Sequence, residues 1–297
     1  MTDYGHEPTF GISIDPSAND LGEAFELARR ADELGLDLLA VQDHAYQPGH
    51  LDAWTLLTYL AAATERISVM TDVADLQLRP PAMLAKAAST LAVLSGGRVQ
   101  LGVGGGPFPD AIAGMGAAAK AGREMVDYAD VSIEILTRAL RGGPVEAGND
   151  QHRVAYVAGP RAATIPPVWL GAQKPRMLRL VGRRAQGWIS PLNIYVPPED
   201  VPDKQRIIDE AAVSAGRDPG GIRRIYNVIG AIGQPTRQGL SGDPDVWVDF
   251  LVRAVIELGF DTFIFWPVAD AERQIGLFAR DVVPAVRERV AEMRRSL

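Results

Sequence analysis

The sequence predicts a (β/α)8 barrel, and two observations support this fold. Short apolar stretches typical of buried strands alternate with helical patterns along the whole chain of 297 residues. The joint "ELGLDLLAV" at 33–41 is repeated as "ELGFDTFIF" at 257–265, which indicates one recurring βα unit. Eight such units fit a chain of this length. A doubly wound open sheet, which shows the same alternation, is the alternative fold.

Each strand is predicted from an apolar run, because parallel strands are buried on both faces. The first helix, at 21–34, is predicted from apolar residues that recur on one face. Asp20 and Glu23 have capping-box spacing at its start, and Gly35 follows its end. The predicted strands are 9–14, 38–44, 67–74, 99–105, 167–172, 187–191, 224–232 and 262–267. The other predicted helices are 52–64, 81–94, 123–140, 175–184, 203–215, 244–258 and a terminal helix.

Three segments do not fit the alternation and are predicted to be excursions from the barrel. They are 107–122, 141–166 and 233–243, and the stretch "GNDQHRVAYV" at 148–157 is compatible with a small hairpin. Since the βα units continue on both sides of each excursion, we expect one domain over residues 1–297.

Composition excludes several classes of function. The net charge is −7 with no basic block, which argues against nucleic acid as a partner. The chain has no cysteine, and its histidines, His6, His44, His50 and His152, lack metal-binding spacing, so a metal-dependent barrel hydrolase is disfavoured. The start "MTDYGHEPTF" is not a signal peptide, and no apolar run reaches the roughly 20 residues of a membrane span. We therefore expect a cytoplasmic protein without a membrane partner.

Polar residues follow the predicted strands at the rim where a barrel of this type carries its chemistry. Asp43 and His44 follow the second strand, and Thr71 and Asp72 lie near the end of the third. Two interpretations of Asp43-His44 remain open. The pair belongs to an active site, or the imidazole is buried against a backbone carbonyl while Asp43 caps a turn.

Two further stretches at this rim have the features of a ligand site. The glycines of "SGGRVQLGVGGG" at 95–106 do not fit a dinucleotide fingerprint because Pro107 follows them. They indicate either close approach of a planar ligand or a packing requirement. In "GAQKPRMLRL" at 171–180 a helix begins near Pro175, so Lys174, Arg176 and the first amides form either a phosphate site or a solvated basic helix start.

Taken together, three motifs resemble the luciferase-like monooxygenase family of flavin- and deazaflavin-dependent barrel enzymes. They are "ELGLDLLAVQDHAYQP", "RPPAMLAKAASTLAVLSGGRVQLGVGGG" and "PPVWLGAQKPRMLRLVGRRAQGW", and they occur in the family's order between about residue 9 and residue 190. The resemblance implies an oxidoreductase that holds a tricyclic cofactor in the barrel mouth. It also implies a homodimer formed through helices near the second and third units.

The resemblance assigns roles to individual residues. His44 matches the family's proton-transfer residue, and Asp43 is expected to orient it or to contact the cofactor. The segment of Thr71, Asp72 and Val73 matches a bulge that often contains a non-prolyl cis peptide bond under the ring. The other matched residues are predicted to bind the cofactor through backbone or phosphate contacts, and they are Gly104, Gly105, Gly171, Ala172, Gln173, Lys174 and Arg176.

The cofactor is predicted to be coenzyme F420 or FMN, with F420 favoured. The tail of F420 needs several cations, for which Arg79, Lys174, Arg176 and Arg179 are candidates. The favoured function is hydride transfer between F420 and a small organic substrate. An FMN-dependent monooxygenase that uses oxygen and a flavin-binding protein without turnover are the alternatives.

Two departures from the family pattern accompany this prediction. Pro107 replaces the glutamate of the family's sugar-phosphate dehydrogenases, which makes that activity doubtful. Gln186 replaces an acid and is expected to remove a carboxylate from the rim.

Overall fold

The computed structural model describes residues 2–19, 21–149 and 152–296, and these residues form a closed barrel surrounded by helices. The parallel barrel strands are β1 (Thr9–Ile14), β2 (Leu38–Val41), β3 (Ser68–Thr71), β4 (Val99–Gly104), β5 (Val168–Gly171), β6 (Gly187–Leu192), β7 (Arg223–Ile232) and β8 (Thr262–Pro267). Each pairs with the next, and β8 returns to β1 through the register Thr9–Thr262. The barrel prediction is confirmed. The open sheet is wrong, because it would leave two unpaired edge strands.

The helices follow the strands as predicted and cover the outer face of the barrel. They are α1 (Leu21–Glu33), α2 (Ala53–Ala62), α3 (Pro81–Leu94), α4 (Gly122–Ala139), α5 (Pro175–Arg184), α6 (Val201–Ser214), α7 (Pro244–Ile256), α8 (Ala271–Leu277) and α9 (Val283–Arg295). Gly35 follows α1 with φ +78°, a left-handed conformation that glycine adopts without a Cβ clash. Asp20, the predicted cap of α1, lies outside the described residues.

Alternating side chains of the strands build two apolar layers. Those that point into the barrel form a small cluster, which includes Leu38, Met70, Trp169, Ile225 and Ile264. Their neighbours along the strands, such as Leu39 and Val69, join the larger core between the strands and the helices. The barrel is therefore a packed core, and the space for a ligand lies at its ends.

Two strands end earlier than predicted. The ladder of β2 stops at Val41, so Gln42, Asp43 and His44 belong to the following loop. The third strand is interrupted after Thr71, where the Asp72–Val73 peptide bond is cis. Ala74–Asp75 then pairs with Val103–Gly104 of β4. The predicted bulge with its non-prolyl cis bond is present in this segment.

The excursions contain structure of their own. A short helix, Pro109–Gly114, lies in the first. The second excursion contains an antiparallel hairpin of Gly143–Gly148 and Arg153–Ala158. This hairpin is longer than the predicted one at 148–157. Residues 150 and 151, between its strands, lie outside the described part of the chain. In the third, Leu240–Gly242 pairs with β7. Among the helices of the described residues, none combines the length and the apolar character needed to cross a membrane.

Candidate active site

The carboxyl ends of the barrel strands surround a cavity of about 840 Å³ between β3, β4, β5 and the starts of α4 and α5. Its wall is apolar where Met125, Val126 and Ile189 contribute side chains. Most of the residues predicted to bind a cofactor line it, namely Val73, Gly104, Gly105, Gly171, Ala172, Gln173, Lys174 and Arg176. The predicted residues Asp43, His44, Thr71 and Asp72 do not line this cavity; they lie at or just after the carboxyl ends of β2 and β3, at the same end of the barrel.

Val73 and two glycines form a surface that suits a flat ligand. A Cβ atom at Gly104 would lie 2.6 Å from Cγ2 of Val73, and one at Gly171 would lie 3.3 Å from the same side chain. Any larger residue at these positions would therefore displace Val73 or fill the cavity. Thr71 does not contribute its hydroxyl, which donates to the Gly102 carbonyl at 2.6 Å.

The α5 edge of the cavity is cationic. Lys174, Arg176 and Arg179 are exposed and line the cavity. Within the described ranges, no carboxylate pairs with any of the three. Since α5 begins at Pro175, its positive dipole end adds to these charges and favours an anionic group.

The loop after β5 is held in place by its neighbours. The indole Nε1 of Trp188 donates to the Ala172 carbonyl at 2.9 Å, and Trp188 itself is fully buried. The side-chain amide of Gln173 donates to the Tyr195 carbonyl at 3.1 Å. This backbone is therefore fixed before a ligand arrives, which reduces the entropy lost on binding.

The glycine loop after β4 is held by Gln77, a residue that the sequence analysis missed. Its Nε2 donates to the Gly105 carbonyl at 2.6 Å, and its Oε1 accepts from the backbone N–H of Lys120. One side chain therefore joins the glycine loop to the segment before α4. No sequence pattern indicates this role, because Gly105 and Lys120 are 28 and 43 residues away.

Asp43 forms a salt bridge with Arg79 and no hydrogen bond with His44. Arg79 Nε and Nη2 donate to the two carboxylate oxygens of Asp43 at 2.6 and 2.8 Å, and the Asp43 side chain is only 1% exposed. Arg79 also contacts Asp52, which caps α2. Burial opposes the charge of Arg79, yet hydrogen bonds to Asp43 and Asp52 raise its pKa. This guanidinium, predicted as a cofactor cation, is thus already compensated by two carboxylates.

His44 lies in a cluster of aromatic rings. Its Nδ1 and the Tyr46 hydroxyl share a hydrogen bond of 2.6 Å, and the Phe108 ring meets its edge with 6.1 Å between centroids. Burial lowers the pKa of His44, as does the nearby charge of His50, whereas Asp43 acts in the opposite direction. Burial also raises the pKa of Tyr46 to about 12, with contributions from Asp75 and Asp43. The sequence analysis missed Tyr46 and Phe108, although Tyr46 is only two residues beyond His44.

Asp72 extends from the cis peptide toward the barrel axis. Its Oδ1 accepts from Nδ2 of Asn227 at 3.3 Å, and Asn227 Oδ1 accepts from the Trp266 indole at 2.8 Å. The other oxygen of Asp72, Oδ2, is buried, and no described residue bonds to it. Burial raises the pKa of this carboxyl to about 7, because a charge without a cationic partner is costly in an apolar surrounding.

Gln186 is not at the rim, so the expected loss of a carboxylate there is wrong. Gln186 precedes β6, and its Oε1 accepts from the Val168 N–H at 2.9 Å. The residue lines a separate cavity at the opposite, amino-terminal mouth of the barrel. Pro107, the other departure, does line the carboxyl-end cavity, and Phe108 after it packs on His44.

Comparisons with known proteins agree with this geometry. A sequence model of the luciferase-like monooxygenase family matches residues 5–238. The chain is 31% identical over 212 residues to a 5,10-methylenetetrahydromethanopterin reductase of Methanolobus tindarius, an alignment that covers 71% of this chain and 61% of that protein. It is 25% identical over 332 residues to an F420-dependent glucose-6-phosphate dehydrogenase of Microbacterium testaceum, with 95% and 98% of the two chains covered.

A solved structure extends the agreement to the fold. The coenzyme F420 dependent tetrahydromethanopterin reductase from Methanopyrus kandleri superimposes with a TM-score of 0.79 at 21% sequence identity. The superposition covers 94% of this chain and 99% of that one.

Proposed function

The chain belongs to the luciferase-like monooxygenase family, and from that premise we propose that it is an oxidoreductase that transfers hydride between coenzyme F420 and a small organic substrate. The observation that carries this proposal is the cavity in which Val73, Gly104 and Gly171 leave a flat slot beside a cationic edge. A tricyclic ring with an anionic tail fits that distribution of shape and charge.

The residues present fit such a cofactor. The backbones of Gly104, Gly105 and Gly171 would contact the ring, and Val73 would support one of its faces. Lys174, Arg176 and the first amides of α5 would bind a phosphate of the tail, with Arg179 behind them. When bound, F420 supplies the hydride donor or acceptor, and the protein supplies position and a dry pocket.

His44 is assigned the proton-transfer role at this site. Its burial keeps the imidazole largely neutral near pH 7, and a group that titrates near neutrality suits general acid–base work. Asp43 remains part of the site in a supporting role. Because Arg79 holds its carboxylate, we assign it to fixing the loop that carries His44.

The substrate is proposed to be a small molecule other than a sugar phosphate. The glycine loop is followed by Pro107 and Phe108. The family resemblance implies that a sugar-phosphate dehydrogenase would have a glutamate in place of Pro107. The Phe108 ring contacts His44 and Tyr46 with centroid distances of 6.1 and 5.8 Å. An aromatic wall next to the proton-transfer group favours a substrate with an apolar body.

We also propose a homodimer that buries α2 and α3. Tyr59, Met83 and Leu94 on these helices are 63%, 66% and 72% exposed, and a dimer through α2 and α3 would bury these apolar side chains.

The experiment that tests the function is a fluorescence titration of the purified protein with F420, FMN and riboflavin in parallel. We expect F420 to bind most tightly, because its tail reaches more of the cations on α5. Riboflavin, which has no phosphate, should bind more weakly than FMN. Tighter binding of FMN than of F420 would replace the deazaflavin assignment with the FMN-dependent one. No binding of any of the three would refute the proposed function.

A further inference from the structure

We propose that Tyr46 is a positioning residue that fixes neutral His44 as the Nε2–H tautomer. His44 then offers a hydrogen-bond donor, rather than an acceptor, to the ligand at the barrel mouth. The inference rests on the proposed function for the identity of that ligand, but the state of the ring follows from the geometry around it.

The first step is the contact itself. The Tyr46 hydroxyl oxygen is 2.6 Å from Nδ1 of His44, within the range of a good hydrogen bond. Phe108 packs against both rings, with centroids 6.1 Å from His44 and 5.8 Å from Tyr46. The three rings thus pack against one another, and the hydrogen bond to Tyr46 fixes which edge of the imidazole carries Nδ1.

The second step is the direction of this hydrogen bond. A phenol donates its proton to an unprotonated imidazole nitrogen, whereas it accepts from a protonated one. The groups that face the pair are Asp43, which Arg79 neutralises, together with Asp75 and His50. Burial together with the charge of His50 lowers the pKa of His44, and burial together with Asp75 and Asp43 raises that of Tyr46 to about 12. Near neutral pH, therefore, a protonated phenol faces a neutral imidazole, which leaves two possible arrangements. Because a phenol is the stronger donor and an unprotonated imidazole nitrogen is a stronger acceptor than a phenol oxygen, we assign Nδ1 as the acceptor.

The third step concerns the other ring nitrogen. If Nδ1 accepts, the single proton of the neutral ring is on Nε2. Across the described parts of the chain, no hydrogen bond to Nε2 of His44 is present. A neutral Nε2–H group presented in this way suits an acceptor atom, such as the oxygen of a carbonyl group, because it polarises that oxygen without bringing a net charge.

The test is the 15N spectrum of the imidazole rings, recorded on the whole protein without cofactor at a pH above the His44 transition. A His44→Gln variant identifies the signals of this ring among those of the four histidines. In the wild type we expect the shift pattern of an unprotonated Nδ1 and a protonated Nε2. In Tyr46→Phe we expect the two shifts to approach each other, because both tautomers then become populated.

Tyr128→Phe is the matched control, since Tyr128 lies against another imidazole, that of His152, with 5.2 Å between ring centroids. This variant should leave the His44 signals unchanged. A protonated Nδ1 in the wild type would overturn the inference, and so would an unaltered tautomer in a Tyr46→Phe protein that retains its circular dichroism. The titration with F420 is independent of these spectra, so a failure of the proposed function is distinguishable from a failure of the tautomer assignment.

Discussion

Asp72 differs from Asp43 because it has no cationic partner among the described residues. Asp43 is compensated by Arg79, whereas Asp72 receives only the amide of Asn227 and keeps one buried oxygen without a bond. The lack of a cationic partner explains why burial raises the pKa of Asp72 to about 7.

The pH dependence of stability tests this protonation state. In the unfolded chain Asp72 loses its proton near pH 3.8, whereas the native carboxyl keeps it to about pH 7. The native state therefore binds more protons in this window, and the unfolding free energy falls as the pH rises through it. Asp72→Asn cannot ionise. We expect it to match the wild type at pH 4 and to be more stable at pH 8. The difference should be on the order of 4 kcal/mol, because the pKa rises from 3.8 to about 7 and each pKa unit corresponds to about 1.4 kcal/mol.

Urea denaturation at the two pH values measures the effect, and Asp110→Asn, which changes an exposed carboxyl near the same mouth, is the control. A difference between Asp72→Asn and wild type that is equal at pH 4 and pH 8 would show that Asp72 is ionised in the native state.

Individual side chains also show how far sequence reasoning reaches at this scale. The position of His44 at the rim could be predicted, because a strand that ends in polar residues delivers them there. Its partners could not be predicted in the same way. Arg79 is 36 residues from Asp43, and Gln77 acts on two loops that are remote in sequence. Such pairings depend on how loops cross in space, which neither periodicity nor spacing describes.

At the scale of elements, α5 combines two functions, since its start faces the cavity and its end faces α4. Lys174 and Arg176 lie at the start, without carboxylate partners within the described ranges. Arg183 and Arg184 lie in the last turn and both pair with Asp130 of α4, at 3.2 and 2.7 Å. Lys174 and Arg176 can therefore be used to test phosphate binding, and Arg183 and Arg184 of the same helix serve as the control.

Replacing Lys174 and Arg176 together by Ala should weaken cofactor binding about tenfold or more at low salt. A hydrogen bond to a charged group contributes about 1.5–3 kcal/mol, and about 1.4 kcal/mol corresponds to a tenfold change in Kd. Because salt screens exposed charges, the loss should be smaller at about 1 M salt. The Arg183→Ala/Arg184→Ala protein should bind as the wild type does. If the Kd of the first variant, measured by fluorescence, equals that of the wild type, the cofactor phosphate does not bind at this helix terminus.

The order and type of the elements could be predicted because apolar runs and glycine-ended helices mark them directly. The boundaries were less predictable. The prediction extended β2 through His44, but backbone pairing ends at Val41. The apolar run of the third strand gave no sign of its interruption at Asp72, which only the family resemblance indicated. The error over Gln186 has a simpler cause, since a residue that precedes a parallel strand lies at the opposite end of the barrel from one that follows it.

At the scale of the molecule, closure of the barrel leaves the helices on the outer surface, and the homodimer that we propose would form through two of them. Tyr59, Met83 and Leu94 are the exposed residues of α2 and α3 on which the proposed homodimer depends. We expect light scattering to give twice the mass of the 31.9 kDa chain, and Leu94→Glu to shift the protein toward the monomer, because a charge would then be buried in the interface. Val213→Glu changes an equally prominent residue of α6, 65% exposed, and should not alter the mass. A wild-type monomer would contradict the dimer.

The guanidinium of Arg79 is held between the carboxylates of Asp43 and Asp52. As a result, positive charge is unevenly distributed around the carboxyl-end mouth of the barrel. The cation at the start of α3 is compensated by carboxylates, whereas Lys174, Arg176 and Arg179 at α5, two units further round the barrel, line the cavity and have no carboxylate partner among the described residues. We therefore expect an elongated ligand with one anionic end to bind in one orientation, with the anionic end over α5 and the uncharged end toward His44. Because the fold fixes the positions of these charges, they would orient the ligand before it makes close contact with the protein.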